Sequence, residues 1–209
     1  VEFQDYAGEN ESRFLRDTRL SLEKVLKGET RPGPSFETLR ETLREGRLFA
    51  IVTARGHEAE SLRKAVLLFI DLVLTPAERD EMMANLRGYR ACFDGLSSFG
   101  TDEEELEYYL SLNRYHAVTN PGFRKWMAQA AGGQASPENA KQFAIRDFIE
   151  HVIKILSRAG SDSLRRPISV GFSDDDLGNV TAIERYIQEE LSRCFPGIKF
   201  CVYDTSDPA

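Results

Sequence analysis

Three separated stretches carry residue types that could hold a phosphate group and a divalent cation. In "FAIVTARGHE", Phe49 to Glu58, an apolar run stops at a hydroxyl, Thr53, and then turns through Arg-Gly-His. A helix is expected to open just after it. The first backbone N–H groups of such a helix lack partners and carry partial positive charge, so with Thr53, the Ala54 amide and the Arg55 guanidinium they suit a phosphate. In "GFSDDDLGN" three adjacent acids, Asp174, Asp175 and Asp176, follow a second apolar run. Their mutual repulsion is relieved by a hard cation such as Mg2+, which takes one or two carboxylates and completes its shell with water and phosphate. Lys141 lies near the start of a long amphipathic segment. A lysine is slightly unfavourable at a helix N-terminus, and one aimed at a phosphate and carboxylate site would account for it. Each stretch also has a plainer reading. Thr53 and its glycine suit any turn. Lys141 suits any surface. The acids suit a helix N-cap.

The elements that must position these residues follow from periodicity. "RDTRLSLEKVLKGE" puts Leu20, Leu22, Val25 and Leu26 roughly on one helical face and stops at Gly28. "SFETLRETLREG" reads as a short helix with Ser35 as N-cap and Gly46 as its stop. "RLFAIVTA" is suited to a strand buried on both faces. Leu62, Val66, Phe69, Ile70 and Val73 then recur at helical spacing. Thr75, Pro76 and Glu78 form a capping-box start. A short strand is expected over Tyr115 to Thr119, and a long helix after Ser136 and Pro137. "PISVGFSDDD", "NVTAIERYIQEELSRCF" and "IKFCVYDTS" read as strand, helix and strand. This alternation predicts an α/β fold, a doubly wound, mainly parallel sheet with ligands beyond the carboxyl ends of its strands. Residues 1–74 and 113–209 form its expected core, and residues 75–112 a helical insertion.

The order of the three stretches resembles the second, third and fourth motifs of the haloacid dehalogenase-like (HAD) superfamily. The resemblance covers roughly Ser35 to Asp204. It implies that Thr53 and Lys141 hold a transferring phosphoryl group and that Asp174, with Asp175, holds Mg2+, while Asn179 orients them. It further implies a Mg2+-dependent phosphohydrolase, with the insertion acting as a cap that sets substrate choice. The substrate is expected to be a phosphorylated small molecule or a phosphoprotein. The alternative is a non-catalytic module of the same type that keeps an anion or metal site.

One part of the pattern is missing. The family's nucleophile ends an apolar strand of form Asp-x-Asp-x-Thr ahead of the second motif, and Val1 to Gly46 contains none. By that resemblance the nucleophilic aspartate is expected upstream of Val1. "LLFIDLVLT", Leu67 to Thr75, is a decoy: Val73 stands where the second acid belongs and cannot move a proton.

Bulk properties narrow the classes. The 209 residues carry 27 basic and 34 acidic side chains, a formal charge of −7. An acidic surface argues against non-specific nucleic-acid binding. No run of apolar residues is long enough for a membrane span, and a cytoplasmic location is expected. Cys92, Cys194 and Cys201 show no metal-pair spacing and are expected to be buried free thiols. His57 follows the Thr53 turn and could touch substrate, or serve only in capping or at the surface.

Overall fold

A computed structural model describes residues 11–54, 56–92, 100–131, 137–159 and 167–205. The run that ends at Thr53 forms strand β1 (Ala50–Thr53), and its alternation explains the layers around it. Phe49 and Ile51 point into a core built with helices α3 (Ala59–Val73), α4 (Pro76–Cys92) and α5 (Asp102–Leu112), and with α2 (Phe36–Arg44). Leu48 and Ala50 point the other way, toward Ile145, Phe148 and Ile149 of the long helix α7 (Pro137–Arg158). Apolar residues at consecutive positions therefore find apolar partners on both faces.

β1 pairs in parallel with β2 (Arg114–Ala117), matching Ala50 to Arg114 and Thr53 to Ala117. A second parallel pair joins β3 (Ile168–Asp174) to β4 (Ile198–Asp204). Its alternation is one-sided: Ile168, Val170, Phe172, Ile198 and Phe200 pack toward α7 and helix α8 (Leu177–Tyr186). Helix α8 runs on through a π-helical turn, Ile187–Leu191.

The doubly wound sheet expected from the sequence is not present. Among the described residues the strands form two separate two-stranded sheets, β1–β2 and β3–β4. The rhythm of strands and helices was legible. Continuity of the sheet was not, because it depends on whether β1 and β3 share backbone hydrogen bonds, and each bonds only to its own neighbour. Most of the chain is helical. A cavity of about 830 Å3 lies between β1 and β3, lined by residues 48–52 on one side and 168–174 on the other.

Local signals placed the helix ends well. Gly46 adopts φ 63° and accepts the left-handed stop after α2, with its N–H on the Leu43 carbonyl and the Arg47 N–H on that of Thr42. Thr75 and Glu78 form the expected box: Glu78 Oε2 accepts the Thr75 N–H at 2.9 Å, and Thr75 Oγ1 accepts the Glu78 N–H at 3.3 Å. Glu78 also takes the Arg40 guanidinium through both oxygens, which ties α2 to α4 and holds its carboxyl down at about 2. Thr101 and Glu104 form a second box at the start of α5.

Ser35 precedes α2 without a side-chain cap bond. Ser136 lies outside the described residues. In α1 (Glu11–Leu26) only Leu22 is buried, and Leu20 and Leu26 stay about half exposed, so the expected apolar stripe is narrower than its sequence suggests. Asp71, the decoy, sits exposed in α3 beside Arg79, while Phe69, Ile70 and Val73 are buried. No described helix is long and apolar enough to cross a membrane. The thiols also differ from expectation: Cys92 and Cys194 are exposed and Cys201 is partly covered.

Candidate functional site

Lys141 and Asp174 meet. The lysine is the fifth residue of α7 and the aspartate is the last of β3, and Lys141 Nζ lies 3.4 Å from Asp174 Oδ2. Both side chains are largely covered, at 23% and 20% exposure. α7 and β3 share one apolar cluster, in which Ile145, Ile149 and Val170 are buried, and the first turns of α7 thereby reach the end of β3.

The acidic cluster divides its labour. Asp174 Oδ1 accepts two hydrogen bonds at 3.0 Å, from the Asp176 N–H and from Asn179 Nδ2. Asp176 is the N-cap of α8, its Oδ1 accepting the Asn179 N–H at 3.0 Å. The plain reading of acids as caps is therefore correct for Asp176 alone. Asp175 is exposed. Asn179 orients Asp174 through its amide while its backbone N–H completes the cap. A carboxylate offers about four acceptor positions, and among the described residues Oδ1 is occupied twice and Oδ2 once, which leaves one position on Oδ2.

Thr53 ends β1, and its carbonyl accepts the Val118 N–H at 2.9 Å. Val52, the residue before it, lines the same cavity as Lys141 and Asp174, whereas Thr53 itself is not part of that lining. The turn that follows differs from expectation. The next helix opens at Ala59, so the amides directly after Thr53 are loop amides rather than a helix N-terminus. That loop is tied to the one after β2: Thr119 Oγ1 donates to the Ala54 carbonyl at 2.7 Å, and Asn120 Nδ2 donates to Gly56 and Glu58. Arg55 lies outside the described residues. His57 is buried at 4% exposure and stacks on Phe14, with ring centroids 4.0 Å apart, so it packs α1 against the loop.

A second polar cluster went unseen in the sequence. His116 Nε2 lies 3.0 Å from Asp147 Oδ2, and Arg114 Nε lies 3.2 Å from the same oxygen as an ion pair outside hydrogen-bond alignment. The Arg114 guanidinium also reaches His151 Nδ1 at 2.8 Å, and His151 Nε2 donates to the Leu112 carbonyl at 2.8 Å. Burial pushes Asp147 up, but the hydrogen bond from His116 and the nearby positive charges outweigh it and hold the carboxyl below its usual range. Burial pushes His151 down. The signal was available: Arg114 and His116 are two apart on a strand, Asp147 and His151 four apart on a helix, so each pair shares a face. Trp126 of helix α6 (Pro121–Ala131) covers this cluster, its ring stacked on His116 with centroids 5.8 Å apart.

Among the described residues no three His, Cys, Asp or Glu side chains converge as a metal-binding group. Comparison of the chain with protein-family models, with characterised proteins and with solved structures yields no match.

Proposed function

We propose that the protein is a Mg2+-dependent phosphohydrolase whose phosphoryl site lies where β1 and β3 end. The observation that carries this reading is the contact between Lys141 and Asp174, residues 33 apart in sequence, at a cavity that Val52 also lines. The HAD-like resemblance enters through the order of Thr53, Lys141 and Asp174 and not through the sheet.

In this reading the Lys141 ammonium and the Thr53 hydroxyl, with the Ala54 amide, bind the phosphoryl oxygens. The open position on Asp174 Oδ2, with exposed Asp175 beside it, suits a hard cation that needs only one or two carboxylates. Bound there, Mg2+ would neutralise charge on the phosphoryl oxygens. Asn179 and the Asp176 N–H hold Asp174 in place, so Oδ2 is presented without reorganisation. Lys141 serves both partners: it balances Asp174 when the site is empty and turns to phosphate when it is filled.

The test is phosphate release from a panel of phosphomonoesters, with Mg2+ and with chelator. The reading expects Mg2+-dependent turnover that falls roughly 10²-fold in Lys141→Ala and in Asp174→Asn, the usual cost of removing one electrostatic group from such a site. Turnover that persists in chelator, or in both variants, contradicts it. Binding of phosphate without turnover would leave an anion-binding module.

A further inference from the structure

The cavity between the two sheets has a shape that a polypeptide strand would fill. Among the described residues β1 pairs only with β2 and β3 only with β4, so each keeps one open edge. Both open edges border the same cavity. Consecutive residues line it, 48–52 and 168–174, and not every second one. A strand shows alternate residues from its face, so consecutive lining means that its backbone edge is presented. The remaining walls are mainly apolar, with Ile145, Phe148 and Val152 on α7 and Leu39 and Leu86 on α2 and α4, and the charges of Arg90 and Glu105 on the α4–α5 side are paired with each other. Folded interiors are close-packed, so a partly open cleft of about 830 Å3 running between two strand edges has room for a further segment.

The dimensions agree. Within a covered sheet a strand takes about 4.8 Å in the hydrogen-bonding direction, about 10 Å between layers and about 3.3 Å along the chain per residue. That is roughly 160 Å3 per residue, so the cavity corresponds to about five residues. The β1-side border, residues 48–52, has that length, and the seven residues of β3 span it with two to spare.

We propose that this cavity is the docking site of an extended apolar peptide segment, additional to the described residues, which adds as a strand hydrogen-bonded to β1 on one side and β3 on the other. The open edges select for backbone, since only a polypeptide supplies N–H and C=O groups in alternation along both rims. The walls select for side chains. Alternate residues face α7 and the α2–α4 layer, so both sets must be apolar, and β-branched residues fit best. Proline is excluded because it lacks the donor, and a charge within the segment is excluded by desolvation. This inference stands apart from the proposed phosphohydrolase activity, because neither Lys141 nor Asp174 is needed for the backbone pairing.

The probe is a synthetic peptide with a Val-Ile-Val-Ile-Val centre, lysine pairs at both ends, and blocked termini. A twin carries N-methyl groups on two central amides and has the same charge and side chains. Binding to the 209-residue chain is followed by fluorescence anisotropy and by amide hydrogen exchange. The expected result is saturable binding of the first peptide, slowed exchange confined to amides of β1 and β3, and affinity lower by about tenfold or more for the twin, which has lost two backbone donors. Equal binding of the two peptides would mean a pocket that reads apolar surface alone and would overturn the proposal. So would no binding of either peptide to folded protein, or protection that falls on β2 and β4 instead.

Discussion

Two polar clusters hang on helix α7, six residues apart, and they differ in how completely their atoms are used. At Asp147 the carboxylate meets His116 and Arg114, Arg114 reaches on to His151, and His151 closes on a backbone carbonyl. At Lys141 the ammonium meets a single carboxylate oxygen, and that oxygen keeps an open acceptor position. The first arrangement links four side chains and joins β2 to α7, with Arg114 Nε held by an ion pair alone. The second is half-made, at the rim of a cavity. A largely covered network whose members engage one another across two elements specifies a fold, whereas an ion pair with capacity to spare can accept a ligand without being dismantled. Histidine, arginine and aspartate look more like catalysis than a lone lysine does, yet in this chain it is the richer cluster that reads as structural.

Substitutions can break or sharpen that contrast. The largest effect is expected at Asp147→Ala, which leaves Arg114 without its counter-charge and His116 without its hydrogen-bond partner; urea denaturation should show a loss of about 2–4 kcal/mol, with phosphate binding unchanged in the folded protein. Acid should act on the same cluster. His151 has a lowered pKa in the fold, so the unfolded chain binds its proton more readily, and stability falls as pH drops below about 6.5. Asp147 adds a second loss below about pH 3.9, where the unfolded carboxylate begins to protonate ahead of the folded one. Thermal melts across pH should therefore slope downward on acidification, and His151→Gln should flatten the upper part of the slope. Asp176→Ala should cost about 1 kcal/mol through loss of its cap while Mg2+-dependent turnover is kept, which separates cap from site within one acidic run. The smallest stability change belongs to Lys141→Met, under about 1 kcal/mol for a partly exposed pair, although turnover should collapse.

How much of this the sequence disclosed depends on the range of the interaction involved. Helix ends were readable because their signals sit within four residues: Thr75 with Glu78, and Gly46 after Arg44. The strands were readable from runs such as "FAIVT" because burial on both faces leaves an unbroken apolar stretch. The continuous sheet failed because strand rhythm says nothing about which edges meet, and β1 and β3 do not pair. In the candidate site, Asp174 and Asn179 were legible from "SDDDLGN", and Lys141 from its odd place at a helix start. The turn after Thr53 was misread, since Gly56 and His57 extend the loop to Ala59 and His57 is spent on packing against Phe14. The Asp147 cluster was missed because its members lie on two elements, and pairing an i,i+2 face with an i,i+4 face requires knowing that β2 and α7 touch.

The most direct test of the central claim is calorimetric titration of the protein with inorganic phosphate, with and without Mg2+, in wild type, Lys141→Met and Asp174→Asn. The account predicts saturable binding that needs Mg2+ and is lost in both variants while their melting temperatures stay close to wild type. Binding that survives both substitutions, or that ignores Mg2+, would contradict it.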